Sequence, residues 1–185
     1  MTVKSVILLI LGGVLANNLV FESFLGVTPL LGFARRGSKM LAMGLAVTVT
    51  EVLCTAVLYP LQGVLNAAGL GFLQVLVYAA VILILVYVLE ALSRLIFRQG
   101  LGVCFPIIAL NSAVLGLAVK MAGAESFVSV LLTALGVGLG FLAALFVFAG
   151  VREKIDETAV PKAFRGLPVE LLAACIISMA LLAFK

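Results

Sequence analysis

The sequence has no histidine and no tryptophan, and only 11% of its 185 residues are charged. Ordinary soluble domains carry about 25% charged residues and about 45–50% apolar ones. Here 65% of the residues are hydrophobic, and a chain of this length has too little interior to hide so much apolar surface from water. The composition therefore excludes a soluble enzyme, a nucleic-acid-binding protein and a disordered tail. It predicts an integral membrane protein of several helices.

Groups that perform catalysis are also scarce. Without histidine there is no imidazole base, and the sequence has neither a C-x-x-C metal motif nor a Ser/Asp arrangement in polar surroundings. The cysteines Cys54, Cys104 and Cys175 all lie in apolar runs, which favours small buried hydrophobic side chains over disulfides. These absences argue against an enzyme that acts alone and favour a non-catalytic subunit of a larger membrane complex.

Long apolar runs dominate the chain. An α-helix needs about 20 apolar residues to cross a bilayer core about 30 Å thick, and continuous runs favour helices over the alternating strands of a barrel. Six runs joined by short connections predict an all-α polytopic membrane protein, with residues 1–185 in a single domain. The predicted transmembrane spans are about 6–26, 40–59, 70–92, 103–119, 127–151 and 168–184, with Pro60 ending the second.

Lysine and arginine predict how the spans are oriented, because connections rich in these residues face the cytoplasm. The first, third and fifth connections carry Arg35, Arg36, Lys39, Arg94, Arg98, Arg152, Lys154, Lys162 and Arg165. Only Lys4, Lys120 and Lys185 fall on the other side. The pattern predicts a multi-pass membrane protein with both termini on the outer face.

The first and fourth runs contain residues that interrupt a membrane helix. Run one includes Asn17, Asn18, Glu22, Gly26 and Pro29, and run four includes Cys104, Pro106, Asn111, Ser112 and Gly116. Because these runs hold corresponding positions in two halves of three, they predict a 3+3 inverted repeat whose broken helices meet near the midplane. Two ordinary helices with asparagine hydrogen bonds and a tolerated proline kink are the alternative.

Four glutamates lie within the apolar runs. Glu51 is near the middle of run two and Glu22 is inside run one, where a carboxylate costs about 2.5–3.5 kcal/mol. For both residues a cation or proton path and a bond to a neighbouring protein of the complex are open interpretations. Glu90 can pair with Arg94 four residues later, and a helix N-terminus and the lipid headgroups favour Glu170 at the start of run six.

Small residues cluster in runs two and five. Run two contains Ala42, Gly44 and Ala46, and run five contains Gly136, Gly138 and Gly140. Such residues let membrane helices approach closely. The G-x-G-x-G of run five follows no strand and lies inside an apolar helix, so it is not a nucleotide-binding loop.

Three stretches of sequence resemble one family, the RnfA/NqrE-like membrane proteins. The sequences ANNL and FLGVTPLLG of run one resemble the first helix of the A-type component of the Rnf complex, and they are similar to the E-type component of the sodium-pumping NADH:quinone reductase. The sequence GVCFPIIALNSAVLG resembles the family's fourth helix, and GVREKI with VPKAFRG resembles the connection before its last helix. The similarity runs from end to end, and the outward termini favour this type of component over its inverted sister.

The resemblance implies a membrane subunit of an ion-translocating ferredoxin:NAD oxidoreductase, which couples electron transfer to Na⁺ or H⁺ movement across a bacterial or archaeal inner membrane. It also implies an inverted homologous partner of the Rnf E type and further Rnf subunits carrying flavin and iron–sulfur groups. The family holds a 2Fe–2S cluster between the two sisters on four cysteines, but this chain has Thr28 and Ser112 at its two ligand positions. Hydroxyls are not normal iron ligands. A cluster-free homologue that acts as a scaffold, or as a small secondary ion transporter, is the alternative.

Overall fold

The structure, a computed structural model, describes residues 3–16, 18–33, 37–97, 104–109, 111–122, 124, 126–156, 158 and 160–182. These residues form helices and connections without a β-strand, in agreement with the predicted all-α class. In chain order the helices are α1 (Val3–Leu11), α2 (Leu19–Ser23), α3 (Val27–Phe33), α4 (Ser38–Ala67), α5 (Gln74–Phe97), α6 (Cys104–Ala109), α7 (Ser112–Lys120), α8 (Phe127–Arg152) and α9 (Leu167–Leu182). A π-helical turn (Gly12–Ala16) follows α1, and 3₁₀ turns (Gly71–Leu73 and Lys162–Phe164) precede α5 and α9.

Among the described residues, three helical segments are long and apolar enough to cross a membrane. They are Lys39–Ala67, Gly71–Leu95 and Phe127–Arg152, and they correspond to predicted runs two, three and five. The last run forms a shorter apolar helix, Leu167–Ala180. The chain is thus a helical protein with several membrane-spanning candidates, while the count of six spans stays a prediction.

Pro60 does not end the second span, so that part of the prediction was wrong. Helix α4 continues through Pro60 to Ala67 and contains 30 residues, about 45 Å at 1.5 Å per residue. Proline removes one backbone donor and crowds the preceding turn. Membrane helices tolerate this because neighbouring helices and local adjustments satisfy the freed backbone groups.

Helices α4 and α8 pack closely at the centre of the fold because α8 has glycines where the contacts occur. A Cβ atom at Gly138 would lie 2.7 Å from the Cα atom of Thr48 on α4. On another side of α8, a Cβ atom at Gly136 would lie 2.7 Å from the carbonyl oxygen of Ile10 on α1. Both distances are too short for any side chain. The prediction that the glycines of run five permit close helix packing is therefore confirmed.

The first and fourth runs are interrupted, as the asparagine and proline pattern predicted. Run one is divided into α1, the π-helical turn and α2, with α3 following it, and run four is divided into α6 and α7. Helix α2 begins after Asn18 (φ −70°, ψ 106°), and α7 begins after Asn111 (φ −74°, ψ 110°). The two asparagines thus have nearly the same backbone conformation in the two halves of the chain. The inverted repeat itself stays a prediction.

The outer surface of the helices is apolar, which fits a lipid environment. On α5, Leu76 and Leu95 are exposed, and Met179 is exposed on α9.

The cysteines divide between interior and surface. Cys54 is buried as predicted, but Cys175 is exposed, so the prediction of a buried side chain was wrong there. Cys175 lies on the outward face of α9, and the Cys104 side chain lies outside the described residues.

Candidate functional site

Asn18 fixes the break in the first run with three hydrogen bonds. Its Oδ1 atom accepts from the backbone N–H of Val20 at 3.1 Å and thereby caps α2. Its Nδ2 group donates to the carbonyl oxygens of Val14 and of Gly140 on α8, both at 3.0 Å. The side chain is buried and every polar atom is used, so Asn18 ties the broken helix to α8. Its neighbour Asn17 lies outside the described residues.

Asn111 caps the second break in the same way. Its Oδ1 atom accepts from the backbone N–H of Ala113 at 3.0 Å, which begins α7. Asn111 is buried, but its Nδ2 group has no hydrogen-bond partner among the residues that the structure describes. The two caps have the same geometry, but the Asn18 side-chain amide donates two hydrogen bonds, whereas the Asn111 amide donates none to the described residues.

The two interrupted runs touch each other, and we call Gly26, Asn111, Ser112 and Ala113 the break junction. The backbone N–H of Gly26 donates to the hydroxyl oxygen of Ser112 at 3.0 Å. Gly26 has φ +79°, and a Cβ atom there would lie 3.1 Å from both Asn111 Oδ1 and Ala113 Cβ. Only glycine fits this position, because of its left-handed conformation and of the close approach.

Of the two positions at which the resemblance implies cluster ligands, Ser112 belongs to this junction and Thr28 lies beside it. Thr28 follows Gly26 by two residues on α3 and is exposed, and Ser112, the first residue of α7, is exposed as well. Thr28 also lines an open cleft of about 690 Å³ between α3, the end of α8 and the start of α9. Both hydroxyl residues therefore lie at the surface of this chain, where another protein can reach them.

An ion pair between a half-buried arginine and a buried glutamate, which was not predicted from the sequence, borders the same cleft. Arg152 Nη2 lies 2.5 Å from Glu170 Oε1, with 21% and 6% of the two side chains exposed. Arg152 Nη1 also donates to the carbonyl oxygen of Leu31 at 2.9 Å. Glu170 is in the first turn of α9 as predicted, but it is held by this arginine rather than by the headgroups. The sequence signal for this ion pair was a single glutamate at the start of an apolar run.

The remaining predicted residues lie elsewhere. Glu51, in the middle of α4, is fully buried, and neither carboxylate oxygen has a hydrogen-bond partner among the described residues. Glu22 is half-buried on α2, and Pro106 is exposed on α6. The predicted pair between Glu90 and Arg94 is confirmed, with 2.5 Å between Arg94 Nη2 and Glu90 Oε1.

The residues at the ligand positions do not fit a 2Fe–2S cluster. Such clusters are held by cysteine thiolates, with histidine in some cases, whereas Thr28 and Ser112 offer hydroxyls. The Ser112 hydroxyl oxygen already accepts the Gly26 N–H. In the part of the chain that the structure describes, no group of three or more His, Cys, Asp or Glu side chains is placed to hold a metal ion. The site instead resembles a helix junction built from backbone and hydroxyl hydrogen bonds.

Known proteins resemble this chain along nearly its whole length. The family model described as Rnf-Nqr subunit, membrane protein, matches residues 6–185. The chain is 40% identical to the A-type component of the ion-translocating oxidoreductase complex of Syntrophotalea carbinolica, over 98% of this chain and 96% of that one. It is 35% identical to the A-type component of the Na⁺-translocating ferredoxin:NAD⁺ oxidoreductase complex of Acetobacterium woodii, over 98% and 97%. With matches of this extent, the chain belongs to the Rnf-Nqr family of membrane subunits.

Proposed function

We propose that this chain is the A-type component of an ion-translocating ferredoxin:NAD oxidoreductase complex of the Rnf type. It serves there as a non-catalytic membrane subunit that supports electron transfer coupled to the movement of Na⁺ or H⁺. The proposal is supported by relatives that are named as A-type components of such complexes and match at full length. The chain offers no catalytic set of its own, so it requires partners that perform the redox chemistry.

The observation that carries the proposal is the break junction. Two helices interrupted at capping asparagines meet through the bond between Gly26 and Ser112, and they leave Thr28 and Ser112 exposed. Irregular backbone at membrane depth is tolerated only where protein or a water-filled cavity covers it. We infer that an inverted homologous partner covers this face, as the family resemblance implies. Further Rnf subunits with flavin and iron–sulfur groups would complete the electron path.

Because the hydroxyls at the ligand positions do not fit a cluster, we assign this chain a structural role at the junction. Thr28 and Ser112 would present a surface to the partner and would not bind iron. Electron transfer across the membrane would then depend on groups that other subunits hold. The chain would then act as a scaffold within the Rnf-type complex, which is the alternative that the sequence left open.

The contacts also support the orientation that the charges predict. The bond from Arg152 to the Leu31 carbonyl brings the end of α8 beside the end of α3, so the first and fifth connections share a face. The hydroxyl of Tyr59 donates to the Ala124 carbonyl at 3.1 Å, which brings the last third of α4 beside the connection after α7. We propose that the first of these faces is cytoplasmic and that both termini lie on the outer face of the inner membrane.

Deletion and complementation test the proposed function. Membrane vesicles from a deletion strain should lose ferredoxin-dependent NAD⁺ reduction, and the wild-type chain should restore it. A Gly26→Ala chain should assemble poorly, because the new Cβ atom meets Asn111 and Ala113. Gly63→Ala is the matched control, since its Cβ atom would meet nothing within 4 Å. Unchanged NAD⁺ reduction in the deletion strain would refute the proposal.

A small secondary ion transporter is the second candidate, and the buried Glu51 is the observation that favours it. Reconstitution separates the two functions. The purified chain alone in liposomes should not take up ²²Na⁺ or acidify the lumen, whereas uptake by the chain alone would establish the transporter.

A further inference from the structure

Glu51 is the most costly side chain in the membrane part of the structure. It is 0% exposed in the middle of α4, and neither of its carboxylate oxygens has a hydrogen-bond partner among the described residues. An ionised carboxylate at the bilayer centre is unfavourable by about 2.5–3.5 kcal/mol on insertion scales. A buried polar group without a partner requires an explanation, such as an ion, a water or a bound proton.

The Thr48 and Thr50 hydroxyls do not hydrogen-bond the Glu51 carboxylate. The Thr48 hydroxyl donates to the Gly44 carbonyl at 2.8 Å, and the Thr50 hydroxyl donates to the Ala46 carbonyl at 2.7 Å. A hydroxyl has one proton to donate, so neither is free for the carboxylate. Glu51 also takes no part in the ion pairs that Glu90 forms with Arg94 and Glu170 forms with Arg152.

The elements packed against α4 supply no compensating charge. Helix α8 has no charged residue between Phe127 and Val151, and α3 and α6 have none along their whole length. The charged residue of α7, Lys120, is exposed, as is Arg94 on α5. The titratable groups that face the interior here are Cys54, one turn along α4, and Tyr78 on α5.

A divalent metal cation also fits poorly. Metal ions such as Ca²⁺ and Mg²⁺ take six or more oxygen ligands, and Glu51 belongs to no metal-binding group in the described part of the chain. Protonation needs no further ligand. It turns the carboxylate into a neutral group that the membrane interior accepts.

A row of polar side chains connects Glu51 with one end of α4. Thr55, Tyr59 and Gln62 follow Glu51 at spacings of three and four residues and so share its face of the helix; we call these three residues the polar stripe. They line a cavity of about 10 Å³, which is about the volume that one water requires. Beyond the cavity, Tyr59 bonds to the Ala124 carbonyl.

We propose that Glu51 is a proton-binding site that exchanges its proton through the polar stripe. The Thr55 hydroxyl, one turn along α4 from Glu51, relays the proton between the carboxyl group and a water in the cavity, and the stripe leads to the end of α4 that lies beside Ala124. The proton-binding site requires the fold of this chain and not the assembled complex. It deepens the proposed function only in naming H⁺ as an ion that this protein binds.

Infrared spectroscopy of the full-length chain in lipid nanodiscs tests the site. At neutral pH the wild type should show the C=O band of a protonated carboxyl group, and Glu51→Gln should lack it. Exchanging Na⁺ for K⁺ should leave the band unchanged. Glu90→Gln is the matched control: it removes a carboxylate paired with Arg94, so the protonated band should remain. Absence of the band in the wild type, its persistence in Glu51→Gln, or its loss on Na⁺ addition would each overturn the proposal.

Exchange of the band in D₂O tests the route and does not depend on the folding of Glu51→Gln. Thr55→Val with Gln62→Leu should slow deuteration of the Glu51 carboxyl on the order of tenfold, which corresponds to about 1.4 kcal/mol in the barrier. Thr50→Val, on the same helix but off the cavity, should leave the rate unchanged. Equal rates in all three proteins would refute the polar stripe as the path. None of these readouts requires the Rnf complex, so they can fail or succeed independently of the proposed function.

Discussion

Replacing Asn18 by alanine should destabilise the protein far more than replacing Asn111, although the two residues cap their helices in the same way. Loss of an asparagine cap costs about 1 kcal/mol, and both variants lose that cap. Asn18→Ala also removes the two Nδ2 bonds, to Val14 and Gly140, at about 0.5–1.5 kcal/mol each. The expected losses are about 2–4 kcal/mol for Asn18→Ala and about 1 kcal/mol for Asn111→Ala.

Reversible unfolding in mixed micelles, driven by increasing SDS and followed by circular dichroism, measures this difference. Asn66→Ala is the control, because Asn66 is exposed near the end of α4 and its loss should change the unfolding free energy by less than about 0.5 kcal/mol. Equal losses for Asn18→Ala and Asn111→Ala would refute the reasoning, because the difference rests entirely on the partnered and unpartnered amide groups.

Three further predictions follow from packing, charge and orientation. Gly138→Ala should reduce the yield of folded protein, since its Cβ atom would lie 2.7 Å from an α4 backbone atom, whereas Gly150→Ala meets nothing within 4 Å and should be tolerated; size-exclusion profiles check both. Arg152→Met should lower the unfolding free energy by about 3 kcal/mol because it leaves Glu170 buried without its partner, while Arg94→Met, which breaks a more exposed pair, should cost about 0.5 kcal/mol in the same SDS titration. Epitope tags on both termini should be accessible to antibody from the outer face of spheroplasts, and accessibility only after permeabilisation would contradict the predicted orientation.

Features carried by local sequence could be predicted. Asparagine within an apolar run competes for backbone hydrogen bonds and favours a cap, so Asn18 and Asn111 marked both helix breaks. The pair between Glu90 and Arg94 followed from their spacing on one helix, and the close packing of α8 followed from Gly136 and Gly138. In each case the physical cause lies within a few residues of chain.

Features that depend on distant contacts could not be predicted. The bond between Gly26 and Ser112 joins residues far apart in the chain, and nothing near either residue indicates the other. Arg152 and Glu170 likewise belong to different helices. The passage of α4 through Pro60 depends on its neighbours, since the local rule for proline favours an end to the helix.

The central claim is that a partner protein covers the face on which the two broken helices meet. A photocrosslinking amino acid at position 28, introduced into the otherwise native complex, tests it most directly. We predict an adduct with another membrane component of the complex that reduces NAD⁺ from ferredoxin, and no such adduct from position 84 on the exposed face of α5. Adducts with lipid alone from position 28 would contradict the claim.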